Sequence, residues 1–334
     1  MRIGIAGVHD GHISGMVQSA RQASSAELVG IVEADDALYQ RYTEPERIPR
    51  FDSVESLLNE AKPDVVMDGI TPEGKADLVE ACAAAGGHVL LDKPLCRTLD
   101  DWERIRRAVQ SGGIKLSMWF TSRSHPPFIA LRNAITAGEL GDLGSMISTH
   151  PHKTSRDGAP AWYFDRSVYT GPFHDLACHG VDQVRWLTGA ECVGVHALET
   201  CRKYTDDPPL ADHVQASFQM SDGSLATLTA DWLTPQKSPS FGDTRFIVMG
   251  TKGSAHLRAY AKDDLLLVTD QVDPHRPDFP AGEGGGFVQD MITAWSRGDE
   301  HFITTRDVLA VAQACLMAQE SAAQGGRFLE IPSL

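Results

Sequence analysis

Basic charge is scarce in this sequence. Among 334 residues, 30 Lys and Arg stand against 45 Asp and Glu, a net charge of -15. That field repels phosphate backbones and anionic headgroups, so neither nucleic acid nor a membrane surface is expected as a partner. No apolar run approaches the roughly 20 residues that cross a bilayer. The opening MRIGIAG lacks a long apolar core followed by a small-residue cleavage site, so no secretory signal is expected. Cysteines are few, and Cys82, Cys96, Cys178, Cys192, Cys201 and Cys315 contain no C-x-x-C pair. They read as buried thiols of a reducing compartment, which predicts a cytoplasmic protein. The glycine fingerprint G-x-G-x-x-G is missing as well. What is present is ordinary: 42% hydrophobic and 22% charged residues, enough for a large core and too apolar for a disordered chain. The length predicts two domains.

Over the first 120 residues, strand and helix patterns alternate. Apolar runs at 2–6, 26–33, 64–68, 88–92 and 114–119 read as strands. Between them, 53–61, 72–85 and 98–110 read as helices, with Ser53 or Asp52, Pro72 and Thr98 as start signals. This alternation predicts an α/β domain over residues 1–122 with a doubly wound parallel sheet. Ligands of such a sheet bind at the carboxyl ends of its strands.

The first strand-to-helix turn is Gly7-Val8-His9-Asp10-Gly11-His12, with Gly15 one turn on. A tight turn needs a residue without Cβ, and a pyrophosphate needs exposed amides at a helix start; Gly7 and Gly11 can meet both needs. His9 and His12 occupy the second and third glycine positions. Two histidines three apart could bind metal, but no third ligand is nearby, so contact with phosphate or backbone is expected and no metal site. Glu33, ending the second strand, is placed to bind both ribose hydroxyls of an adenosine and to repel a 2′-phosphate, which favours NAD over NADP. The bland alternative is a solvated strand-end carboxylate.

After residue 122 the pattern changes. A helix at 125–137 is followed by alternating strands at 144–153, 193–202, 213–220, 224–230, 246–250, 254–257 and 265–269, then helices at 286–296 and 305–323. This predicts an α+β domain over residues 123–334, with a large mixed or antiparallel sheet covered on one face. The open face predicts a homodimer or homotetramer.

Two polar constellations stand out. Asp92-Lys93-Pro94 falls at the carboxyl end of a predicted parallel strand, where apolar walls and a cationic ring would lower the lysine's proton affinity; the plain alternative is a surface lysine. Asp175 and His179 are four apart at a helix start, a spacing that suits proton transfer, or else a capping Asp with a surface His. Arg123 is a candidate substrate contact. Trp162 and Tyr163 offer flat faces that suit sugar C–H surfaces, or simply pack.

Taken together, these motifs resemble the Gfo/Idh/MocA family of nicotinamide-dependent oxidoreductases over nearly the whole chain. Thr71-Pro72, then Gly87-His88-Val89 and Asp92-Lys93-Pro94, resemble its T-P…G-K-H-V…E-K-P run. Gly138-Glu139-Leu140-Gly141 resembles its link into the second domain. Asp175 to His179, Asp182 and Trp186-Leu187-Thr188-Gly189 resemble its D-x-[GA]-x-H-x-x-D…W-L-x-G helix. Met249-Gly250-Thr251-Lys252-Gly253 resembles its late glycine turn. The chain departs from the pattern at the G-V-H-D-G-H turn, at Asp92 in place of Glu, and at Lys75 where a His is usual. The resemblance implies a Rossmann domain holding NAD through Gly7, His9, Gly11, His12, Glu33, Thr71, Pro72, Asp92 and Lys93. It implies that Lys93, Asp175 and His179 line one pocket at the nicotinamide and act on a sugar or polyol hydroxyl. Two rival activities stay open: a glycoside hydrolase that uses NAD transiently, and a non-catalytic NAD sensor.

Overall fold

The computed structural model describes residues 1–9, 11–44, 47–155, 157, 159, 161–165, 167–169, 171–206, 210–280 and 286–334. Asp10, inside the first turn, lies outside them. The chain divides into two compact units, Met1–Trp119 with Glu283–Leu309, and Phe120–Gly282 with Ala310–Leu334.

The first unit is built on a six-stranded sheet of β1 (Arg2–Ala6), β2 (Glu27–Val32), β3 (Arg50–Phe51), β4 (Val65–Asp68), β5 (His88–Leu91) and β6 (Leu116–Met118). All strands run parallel in the order β3-β2-β1-β4-β5-β6. Ile3, Ile5, Val65, Val66, Val89, Leu90 and Leu91 are fully buried. Helices cover both faces of a parallel sheet, so its strands are continuous apolar runs rather than alternating ones. The helix Leu99–Gly112 starts where Thr98 accepts the Asp101 amide hydrogen and ends at left-handed Gly113. Two expectations change in detail. The pattern at 53–61 is a single turn, Val54–Ser56, running into a π-helical turn, Leu57–Ala61. A helix not anticipated, Asp36–Thr43, begins where Asp35 accepts the Leu38 amide hydrogen.

The second unit holds an eight-stranded mixed sheet of β7 (Leu143–Pro151), β8 (Cys192–Thr200), β9 (His213–Met220), β10 (Leu225–Asp231), β11 (Thr244–Gly250), β12 (Gly253–Ala259), β13 (Asp264–Thr269) and β14 (Leu329–Glu330). Their order is β13-β12-β11-β7-β10-β9-β8-β14, and β7 with β10 is a parallel pair. Burial alternates: Val214, Ala216, Phe218 and Met220 point into the core, and Gln215, Ser217 and Gln219 point out. On that outward face Ile147 lies opposite Ile247 across the ladder, and both are exposed, as are Leu225, Met249 and Leu198.

A single boundary at residue 122 does not describe this chain. The helix Phe287–Ser296 belongs to the first unit. Its Val288 amide donates to Ser19 Oγ at 3.1 Å, Phe287 packs on Trp119, and Trp295 meets the edge of His88. The apolar face of this helix finds its cover on the earlier domain, a long-range choice that local periodicity does not encode.

Candidate functional site

In the first unit the strand order reverses between β1 and β4, and such a switch point opens a crevice at the carboxyl ends of the strands. Gly7 follows β1 with φ +69, a left-handed conformation natural to glycine. A Cβ there would meet Ile70 Cγ2 at 2.7 Å. The Gly7 amide donates to Val32 O and the His9 amide to Gly69 O, at 2.9 and 2.8 Å, which clamps the turn between two strand ends. Gly11 is exposed, and a Cβ on it would meet nothing within 4 Å. The helix Ile13–Gln22 follows, and its first amides have no intrahelical acceptor. A narrow glycine turn with open space at a positive helix start fits a pyrophosphate.

His12 is the N-cap residue of that helix, yet its side chain makes no capping bond. Its Nδ1 lies 3.2 Å from each carboxylate oxygen of Asp92 instead. An ionised carboxylate only accepts, so Nδ1 is the donor. Burial alone would raise the Asp92 pKa. The His12 charge and hydrogen bond, with Lys93 and Lys75 behind them, outweigh it and hold the carboxyl well below the usual carboxylate range. Asp92 Oδ1 also accepts the Lys93 amide hydrogen at 2.8 Å. Lys93 is itself buried, and its bond to Pro94 is cis. Glu33 is buried at the end of β2, where Oε2 accepts the Val8 amide at 3.2 Å and Oε1 the Asp35 amide at 2.8 Å. The solvated strand-end carboxylate is thereby excluded. His9, half exposed, places Nε2 3.8 Å from Glu33 Oε2. Thr71 precedes the buried Pro72, which opens a 3₁₀ turn.

In the second unit, a π-helical turn, Phe173–Ala177, runs into the helix Cys178–Thr188. Asp175 lies on the first and His179 on the second, so their spacing of four straddles a change of helical pitch. The expected continuous α-helical face is therefore interrupted; π turns of this kind are frequent at functional sites. Asp175 is buried and accepts from Tyr169 OH at 3.1 Å, and Tyr169 accepts from Trp232 Nε1 at 2.9 Å. Burial first, then the Asp175 charge, pushes the Tyr169 pKa well above that of a free phenol, so it stays a donor. Tyr163 stacks on Tyr169 at 4.9 Å between ring centroids, and Trp162 packs edge-on against Tyr163. The Trp162 indole N–H is buried without an acceptor among the described residues. His179 is partly exposed and meets the edge of Phe120.

Arg123, expected as a candidate substrate contact, has a partner within the protein. It is buried, and its fork grips Asp182, Nε to Oδ2 at 3.0 Å and Nη2 to Oδ1 at 2.6 Å. This buried bidentate pair takes up the Nε/Nη2 edge of the guanidinium. Asp68, Tyr169 and Trp232 carry no local sequence motif that marks them as site residues. One signal was available: β4 ends at Asp68 and Asp92 directly follows β5, both on the edge where ligands bind. Among the described residues no group of three or more His, Cys, Asp and Glu is placed to hold a metal ion, and no helix is long and apolar enough to cross a membrane.

Two further histidines are buried and kept neutral. Burial pushes His150 down to about 3 and His174 down to about 4, the latter despite its bond to Gln319. The carbonyl side of the Gln319 amide accepts from the His174 ring. In the unfolded chain both would titrate near 6.5. Below that pH the unfolded state binds protons the folded state refuses, so stability falls as pH drops from about 6.5 towards 4, by up to about 1.4 kcal/mol per pH unit for each histidine. Urea melts at pH 7.0, 6.0 and 5.0 check the slope. A His150→Asn variant with the parental slope would show that this ring is not the source.

Comparison with known proteins locates the chain. Residues 1–120 match the family model described as an oxidoreductase family with an NAD-binding Rossmann fold. Residues 128–256 match the Gfo/Idh/MocA C-terminal domain. Inositol 2-dehydrogenase of Rhizobium meliloti (strain 1021) is 30% identical over 60% of this chain and 59% of its own length. A D-xylose 1-dehydrogenase (NADP(+)) of Haloferax volcanii is 28% identical over 65% of each chain. The chain spans 59%, 53% and 51% of the first three curated relatives it matches. A levoglucosan dehydrogenase solved in complex with NADH superposes with a TM-score of 0.85 over 100% of both chains at 21% identity, which establishes a shared fold.

Proposed function

Since the chain belongs to the Gfo/Idh/MocA oxidoreductase family, we propose that it transfers hydride between a secondary alcohol of a sugar, inositol or polyol and NAD. One observation carries this reading. Gly7, Glu33 and Lys93 stand at the carboxyl ends of β1, β2 and β5, on both sides of the switch point in the first unit's sheet. A bound nicotinamide supplies the hydride acceptor. The amides at the start of Ile13–Gln22, with Gly11 and His12, hold the pyrophosphate; His9 and the Thr71-Pro72 turn line the same edge. Each Glu33 oxygen accepts one main-chain amide and keeps a lone pair for a ribose hydroxyl.

In this proposal His179 takes the proton from the reacting hydroxyl, and Lys93 stabilises the alkoxide that develops. Asp175, fixed by Tyr169, accepts a neighbouring substrate hydroxyl. Trp162 and Tyr163 present ring faces to sugar C–H groups. The buried cysteines Cys82, Cys96, Cys178, Cys192 and Cys315 suit a reducing cytoplasm. The apolar outward face around Ile147 and Ile247 suits a homodimer or homotetramer, and light scattering of the purified chain tests it.

The testing experiment offers NAD with myo-inositol, scyllo-inositol, D-xylose and levoglucosan and follows NADH. Net NADH from one of them is the expected result. Cleavage of a nitrophenyl glycoside that needs NAD but yields no NADH would make the protein a hydrolase instead, and NAD binding with neither reaction would make it a sensor. For the cofactor, Glu33→Ala is expected to narrow the preference for NAD over NADP by about tenfold, because a carboxylate no longer faces the 2′-phosphate. An unaltered ratio of kcat/KM values would remove the ribose role.

A further inference from the structure

Lys75, in the first turn of the helix Lys75–Ala85, is 1% exposed. A buried ammonium is costly unless it is paired and hydrogen-bonded. Its Nζ lies 2.8 Å from Asp68 Oδ2 and donates to the main-chain carbonyl of Asp92 at 2.7 Å. Asp68 is equally buried, at the last position of β4. Its Oδ1 accepts the Ile70 amide at 3.0 Å and its Oδ2 the Asp92 amide at 3.3 Å. One ion pair therefore holds both main-chain groups of the residue that precedes Lys93. The Lys93 amide is held in turn by Asp92 Oδ1. Neither charge of the pair faces solvent, and the proposed chemistry uses neither directly.

A purely structural pair could sit anywhere in the core, and apolar residues of similar volume often replace such pairs without loss. This one is aimed at the backbone of a single strand end, the one that presents the candidate catalytic amine. We propose that Lys75 and Asp68 are positioning residues for Lys93, tying the carboxyl end of β5 to that of β4 so that the lysine's backbone cannot shift. The inference rests on the reading of Lys93 as a residue that acts on the substrate hydroxyl. Positioning matters because a displacement of about 1 Å at a reacting group can cost on the order of a hundredfold in rate.

The test removes both charges together, Asp68→Asn with Lys75→Met, so that no lone buried charge remains to unfold the chain. The thioether has no donor for the Asp92 carbonyl, and the Asn amide offers one oxygen acceptor where Asp68 uses two, so the tie is loosened at both main-chain groups of Asp92. NADH binding by fluorescence is expected to stay within about threefold of the parent, with KM for the best polyol of the panel similarly unchanged and kcat down by about tenfold or more. Amide hydrogen exchange at Lys93 is expected to quicken, while the strands Arg2–Ala6 and Glu27–Val32 keep parental protection. A lower melting temperature with parental kcat and parental exchange at Lys93 would mean that the pair only stabilises the fold, and the inference would be wrong. Lys93→Ala is measured beside it. If that variant keeps full turnover, the role of Lys93 fails; if it loses turnover while the double variant keeps it, only the positioning role fails. Should no polyol of the panel react, the exchange at Lys93 decides alone.

Discussion

Replacing Lys93 by Ala, and in a separate variant His179 by Ala, is expected to lower kcat for the proposed polyol oxidation by about a hundredfold or more while NADH still binds. Removing the hydroxyl proton and stabilising the developing alkoxide are tasks of the transition state, so their loss appears in kcat rather than in KM. Lys93 follows β5, whose last three residues are fully buried, and its amide and the preceding residue are hydrogen-bonded on every main-chain group described above. Its side chain therefore leaves a rigid base, the condition under which a general acid or base acts efficiently. His179 sits one residue beyond the junction of a π turn and an α-helix, partly exposed, with Phe120 against its ring edge. Steady-state kinetics with the best polyol of the panel and NADH titration by fluorescence form the measurement. Parental turnover in both variants would sink the assignment of the site, and a loss of NADH binding in either would move that residue to the cofactor.

The largest expected effect on stability lies elsewhere. Arg123→Met leaves the Asp182 carboxylate buried with its bidentate partner gone, and breaking such a pair typically costs about 3–5 kcal/mol. The geometry supports the upper part of that range, since both side chains are almost wholly out of water, at 3% and 1% exposure, and two parallel hydrogen bonds are lost. Adding Asp182→Leu removes the stranded charge, so the double variant is expected to recover most of the loss. Urea unfolding of the parent, the two single variants and the double variant closes the cycle. Additive losses would contradict the pairing.

Most of the elements were readable because they are announced locally. Val65-Val66-Met67 and Val89-Leu90-Leu91 are apolar on both faces, as strands covered on both sides must be, and Thr98 and Gly113 mark the ends of one helix. Gly7 was readable as a turn, and Asp92-Lys93-Pro94 as a strand end, from the same local signals. The partners of the charged groups were not. Arg123 lies 59 residues before Asp182, and no spacing rule distinguishes its bidentate pairing from contact with a substrate. Asp175 and His179 were found by their spacing, but the π turn that carries Asp175, with Phe173 and Leu176 buried in it, was not, since no spacing or capping signal announces a change of pitch.

Periodicity and turn chemistry act within a few residues, so the amino-acid order was sufficient for two kinds of sheet, their alternation with helices, and the strand ends where chemistry belongs. Burial acts between residues far apart in the chain. Only the folded chain could therefore return Phe287–Ser296 to the first unit, bind Arg123 to Asp182, and turn Lys75 inward onto Asp68. A charge taken out of water must find a partner wherever the surrounding layers bring one, and that choice is made by three-dimensional packing.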